Sequence, residues 1–124
     1  MVAFIVLPFT ACKKENQAMT ELEESSMNFD QENVGPFLER IIKFIPAGFA
    51  KPQADAVVQM IEGMSHNEEK EIEFEITYNG SETLFIVRAF MDDIEAPDLY
   101  LFGPPGLAKQ IDNEMDLFCE ELGI

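Results

Sequence analysis

The chain has 124 residues, is 47% apolar with eleven Phe, and carries 24 acids against 8 bases for a net charge of −16. That length leaves room for one well-packed core and not two, and so much apolar matter argues against wholesale disorder. A strongly negative field disfavours nucleic acid and anionic lipid headgroups; it favours a basic protein, a cationic peptide or metal ions, with simple solubility as its plainest use.

The charge is unevenly spread. Residues 13–51 hold seven acids and five bases, whereas residues 68–124 hold fifteen acids and three bases. An electrostatic partner is therefore expected on the C-terminal half. Two cysteines, Cys12 and Cys119, make neither a disulfide framework nor a zinc pattern. No apolar stretch approaches the roughly 20 residues that span a bilayer.

The first element is an apolar run, Val2 to Phe9, followed by small residues, Cys12 and two lysines. Phe9-Thr10-Ala11-Cys12 resembles a lipobox, the end of the signal peptide of bacterial lipoproteins. Here Phe9 stands where Leu is usual, and no Lys or Arg precedes the apolar run. The resemblance implies that residues 1–12 are a signal-like segment and that Cys12 is diacylated through its sulfur. Acyl chains would then hold the protein on a membrane of the cell envelope, at about 0.8 kcal/mol per buried CH₂.

Residues 13–33 are mostly polar, with Ala18, Met19, Leu22, Met27 and Phe29 scattered among them. They read as a flexible tether, leaving residues 34–124 as the folded domain. The competing reading makes Val2–Phe9 a strand of the core and Lys13–Glu24 a surface helix, in a cytoplasmic protein.

Gly35-Pro36 is expected to open the first helix, because a proline in the first turn gives up an N–H that would be unsatisfied anyway. Phe37, Leu38, Ile41, Ile42, Phe44 and Ile45 cover most of its circumference, so it is buried on more than one side or meets a partner. Pro46 and Gly48 end it. A second helix starts at Lys51-Pro52, with Ala54, Val57, Val58 and Ile61 at helical spacing.

Residues 71–78, EIEFEITY, alternate with period two and predict a strand with one face in the core and one in water. Asn79-Gly80 is a strong two-residue hairpin signal, since both residues tolerate positive φ. The return strand runs from Thr83 to Met91. A two-residue loop pairs Tyr78 with Ser81, and a four-residue loop pairs it with Thr83. Both registers put Phe85, Val87 and Ala89 on the face of Ile72, Phe74 and Ile76, and Arg88 opposite Glu71 or Glu73. Leu84, Ile86 and Phe90 share the glutamate face, so the return strand should be central and covered on both sides.

A short acidic connection, Asp92 to Asp98, leads to a third strand, Leu99 to Phe102. Gly103-Pro104-Pro105-Gly106 then turns into a last helix reaching Leu122, with Leu107, Ile111, Met115, Phe118 and Leu122 as its stripe and Gly123 as its cap. The expected fold is α+β: a small two-layer domain of order ααβββα, helices on one face of a three-stranded antiparallel meander.

Catalytic signals are poor. The one histidine, His66, adjoins Ser65 in a turn, and neighbours in sequence do not make a triad. The Gly103–Gly106 turn lacks the Lys-Ser/Thr of a phosphate loop, and its prolines lack N–H donors. Asp92, Asp93, Glu95 and Asp98 have carboxylates that suit Ca²⁺, but EF-hand spacing is absent. Cys119 reads as a semi-buried structural thiol. No cofactor, metal site or catalytic residue is expected.

What remains is a surface. Glu71, Glu73 and Glu75 stand in a row, spaced about 6.6–6.8 Å apart by strand geometry, and Asp92, Asp93 and Glu95 follow on the connection. The row can receive lysines or arginines of a partner, or merely protect an edge from aggregation. The sequence thus points to a non-catalytic, membrane-tethered acidic protein, binding or inhibitory, that docks a basic partner. A cytoplasmic acidic interaction module, immunity-like or chaperone-like, is the alternative, and a hydrolase using unseen groups a third.

Overall fold

The computed structural model describes residues 22–45 and 47–123. Cys12, the Val2–Phe9 run and the tether up to residue 21 lie outside the described residues. In chain order the elements are β1 (Glu23–Asn28), α1 (Gln31–Ile41), a single 3-10 turn (Ile42–Phe44), α2 (Lys51–Glu62), β2 (Glu69–Tyr78), β3 (Ser81–Phe90), β4 (Asp98–Gly103) and α3 (Pro105–Leu122). The fold is α+β, with an antiparallel sheet in the order β1-β4-β3-β2.

The sheet has four strands rather than three, and the order begins with a strand. The extra strand comes from residues expected to be tether. Ser25, Met27 and Phe29 are buried while their neighbours are exposed, so the stretch does alternate with period two. β1 pairs along β4 from Glu23↔Gly103 to Asn28↔Asp98. It covers an edge that a three-stranded meander would leave open. The buried Ser25 hydroxyl donates to the Ala108 carbonyl at 3.2 Å, tying β1 to α3.

α1 begins five residues before Pro36, which lies inside it. A proline there removes one rung of the ladder. The helix forms nonetheless because Val34, Phe37, Leu38 and Ile41 make one buried stripe at spacings of three and four. Its start is fixed from outside: the Gln31 N–H donates to the Glu95 carbonyl at 2.7 Å. Arg40 ties α1 to α3, donating from Nε to Glu114 at 2.7 Å and from Nη1 to Glu121 at 2.6 Å. The hydrogen bond from Arg40 holds the Glu121 carboxyl below the usual carboxylate range.

α2 starts at Lys51 as expected, with Pro52 in its first turn. Gln53 accepts the Ala50 N–H at 2.9 Å. The hairpin takes the two-residue register, Tyr78↔Ser81. Asn79 has φ 53° and Gly80 φ 81°, the pair of positive values that a type I′ turn needs. α3 follows Pro104 directly and ends on Gly123 at φ 79°, a left-handed cap.

The three helices bury one face of the sheet. Phe85, Val87 and Ala89 of β3 and Leu99 and Leu101 of β4 are at most 1% exposed. They join Phe37, Leu38, Ile41, Val57, Ile61, Leu107 and Ile111 in one core. Phe49 closes its β2 end, packing edge-on against Phe74 and Phe85 at 5.1 and 4.9 Å between ring centres.

Candidate functional site

The other face of the sheet has no helix on it among the described residues. Strand alternation decides what it carries. On β2, Ile72, Phe74 and Ile76 turn to the helices, so Glu69, Glu71, Glu73 and Glu75 turn away. The register then sets Glu73 opposite Ile86 and Glu75 opposite Leu84. It sets Ile86 opposite Phe102, Arg88 opposite Tyr100 and Phe90 opposite Asp98.

The result is an amphipathic surface. Its centre, on β3 and β4, is Leu84, Ile86, Phe90, Tyr100 and Phe102, none of them fully buried. β3 is indeed flanked on both sides by strands, but among the described residues it is not covered on both faces as expected. The expectation assumed that apolar residues on both faces need two covering layers. Here the described residues supply one layer, and on the other face these side chains shelter one another.

Charge on this face is lopsided. Glu24, Glu69, Glu71, Glu73, Glu75, Glu82 and Asp98 share it with one guanidinium, Arg88. Arg88 pairs with Glu71 as expected: Nε and Nη2 donate to Oε1 at 2.9 and 2.8 Å. The guanidinium also lies over the Phe102 ring, 5.2 Å from its centre. Arg88 is thus spent on Glu71 and a ring face. Glu73 and Glu75 have no ion-pair partner among the described residues. Side chains with shared lining (Glu24, Glu69, Arg88, Phe90, Tyr100 and Phe102) form a shallow groove across the strands.

Glu71, Glu73 and Glu75 are therefore brought together in a row on the outer strand. Asp92, Asp93 and Glu95 are elsewhere: they are exposed on the β3–β4 connection, beyond the Glu69–Phe90–Asp98 end of the sheet. Two of them shape that loop. Asp93 Oδ1 accepts the Glu95 N–H at 2.9 Å, and the Asp93 carbonyl accepts the Ala96 N–H at 3.1 Å. Among the described residues no three His, Cys, Asp or Glu side chains converge as a metal ion would require. His66 is exposed in a turn. Cys119 is a free thiol packed against the core. No helix among the described residues is long and apolar enough to cross a membrane.

The sequence does not place Tyr100 and Phe102 on the open face. A four-residue strand with apolar residues at every position gives no clue to which face is wet. Comparison with known protein families, with curated proteins and with solved structures finds no match to this chain.

Proposed function

We propose that the protein is a non-catalytic binding or inhibitory protein that docks a basic partner on the open face of its sheet, and that a lipid anchor at Cys12 holds it at the cell envelope. One observation carries the docking: an aromatic and aliphatic centre on β3 and β4 is left half-exposed beside a row of glutamates on β2. An apolar centre with a charged rim is the anatomy of a protein interface. A patch without that purpose is a liability on a soluble surface. The glutamates choose the sign of the partner and speed its encounter.

The test is capture of a basic probe, a labelled lysine–valine peptide, by the full chain. Binding should weaken as salt rises, because exposed charges are screened beyond about 10 Å at 0.1 M. Glu73→Lys with Glu75→Lys should weaken capture at least tenfold at unchanged helix and strand content. Equal capture by both proteins at low salt would dismiss the acidic face. For the anchor, Cys12→Ser should release the expressed protein from membranes into the soluble fraction. Native protein recovered as soluble with Met1 intact would instead favour the cytoplasmic interaction module.

A further inference from the structure

Among the described residues β2 is an outer strand, bonded along its length to β3 and touched on its other side at one antiparallel bridge near its end. In a two-residue hairpin the residues flanking the loop, here Tyr78 and Ser81, exchange both backbone bonds. Alternate residues Ile76, Phe74 and Ile72 therefore bond inward to β3. Thr77, Glu75, Glu73 and Glu71 turn their N–H and C=O groups outward.

The chain uses the first stretch of this edge itself. The Thr77 N–H donates to the Ala47 carbonyl at 3.1 Å in an antiparallel bridge. Gly48 follows, lying so close to the Glu75 carbonyl that a Cβ there would come within 2.2 Å. The 47–49 segment then turns into α2. Past it, Glu71 and Glu73 have no strand beside them among the described residues. The helix side of this edge is also unfinished: Ile72 and Phe74 are half-buried, while Val87 and Phe85 opposite them are fully buried.

We propose that the Glu69–Glu73 edge of β2 accepts an extended segment of the partner as a fifth, antiparallel strand, one that alternates Lys or Arg with apolar residues. The proposal rests on the reading that the acidic face docks a basic partner, and states how it does so. Each basic side chain would stand directly opposite Glu71 or Glu73, where cross-strand neighbours are about 4.5–5.5 Å apart. The apolar side chains between them would fall on the other face and finish covering Ile72 and Phe74. Unpaired edge groups supply the backbone bonds, as in other strand-addition complexes. A second copy of this chain is a poor occupant: antiparallel pairing of β2 with itself sets glutamates against glutamates, and like charges directly opposite destabilise a sheet. The row that guards the edge against self-association is the row that selects a cationic strand.

The probe is the peptide Lys-Val-Lys-Val-Lys-Val-Lys and two N-methylated derivatives of it, one with backbone N-methyl groups on the lysines and one with them on the valines. In an antiparallel fifth strand the lysine N–H groups point at β2 and the valine N–H groups point away. Methylating the lysines should weaken binding at least tenfold, whereas methylating the valines should leave it within about twofold. Amide exchange of Glu71 and Glu73 should be fast in the free full chain and slowed with the unmodified peptide bound. If all three peptides bind alike and those amides stay fast, charge alone holds the peptide: strand addition fails and docking on the acidic face stands. If none of the peptides binds, both fail. Glu71 and Glu73 amides already slow in the free chain would show the edge occupied and would also overturn the proposal.

Discussion

The two faces of this sheet are built from the same strands, yet they do opposite work. On the helix side, Phe85 and Val87 are wholly buried and pack into a core shared with three helices. On the other side, Ile86 and Phe102 face each other across β3 and β4 with no layer above them among the described residues. The covered face is largely apolar, whereas the other sets an apolar centre beside seven carboxylates and has no helix on it among the described residues. α1, α2 and α3 all go to one face, and the second face is left to charge and to whatever binds there.

The largest expected effect lies on the covered face. Phe85→Ala removes a ring that is 0% exposed and packs against Phe49. It should cost about 3–5 kcal/mol and leave little folded protein, as read by denaturant midpoint. A loss below about 1 kcal/mol would mean that the covered face is not the core.

Next comes the boundary between the faces, where Gly48 crosses the β2 edge at φ 100° against the Glu75 carbonyl. A left-handed position with an alanine is strained by about 1–3 kcal/mol, and the clash must add to that. Gly48→Ala should therefore lower stability by about 2 kcal/mol or more, and free the Thr77 amide to exchange. A neutral Gly48→Ala would show that this crossing does not hold the edge.

Thr83 on the covered face works in the opposite direction. It lies on the covered side opposite Ile76, and its buried hydroxyl has no hydrogen-bond partner among the described residues. An orphaned buried hydroxyl costs about 1–3 kcal/mol, and an apolar group of the same shape removes that cost. Thr83→Val should raise stability by about 1 kcal/mol. A loss would place the hydroxyl in a wet site.

The smallest effect belongs to the open face. Phe102→Ala gives up the ring beneath Arg88, a contact worth about 0.5–1 kcal/mol at an exposed site. Stability should fall by about 1 kcal/mol at most, and affinity for the lysine–valine peptide should stay within about twofold, because a fifth strand beside β2 lies about three strand spacings from Phe102. An unfolding cost equal to that of Phe85→Ala would erase the distinction between the faces.

Much of this was legible from residues. Period two over residues 71–78, the Asn79-Gly80 turn and the Arg88–Glu71 pair follow from side-chain alternation and positive φ, both local facts. The Gly123 cap and the Gly103–Gly106 turn were legible for the same reason. β1 was not, because Glu, Ser and Asn fit strands poorly and its partner, β4, lies some 75 residues later in the chain. The early start of α1 was hidden by Pro36, whose usual place in a first turn yields here to the buried stripe beginning at Val34. The candidate site was half-legible. The glutamate row could be read within one strand, whereas the apolar centre beside it needs the order of four strands, which only tertiary pairing decides.

Where a cationic probe settles on the protein decides whether the acidic face is a docking surface. The lysine–valine peptide is titrated into the isotopically labelled full chain, and backbone amide shifts are followed by NMR. Changes should concentrate on residues 69–75 of β2 and be weaker on their β3 partners Leu84, Ile86 and Phe90, with α3 unmoved. Shifts centred instead on the acids of α3 (Asp112, Asp116 and Glu120), or spread evenly over the acidic surface, would contradict docking on that face.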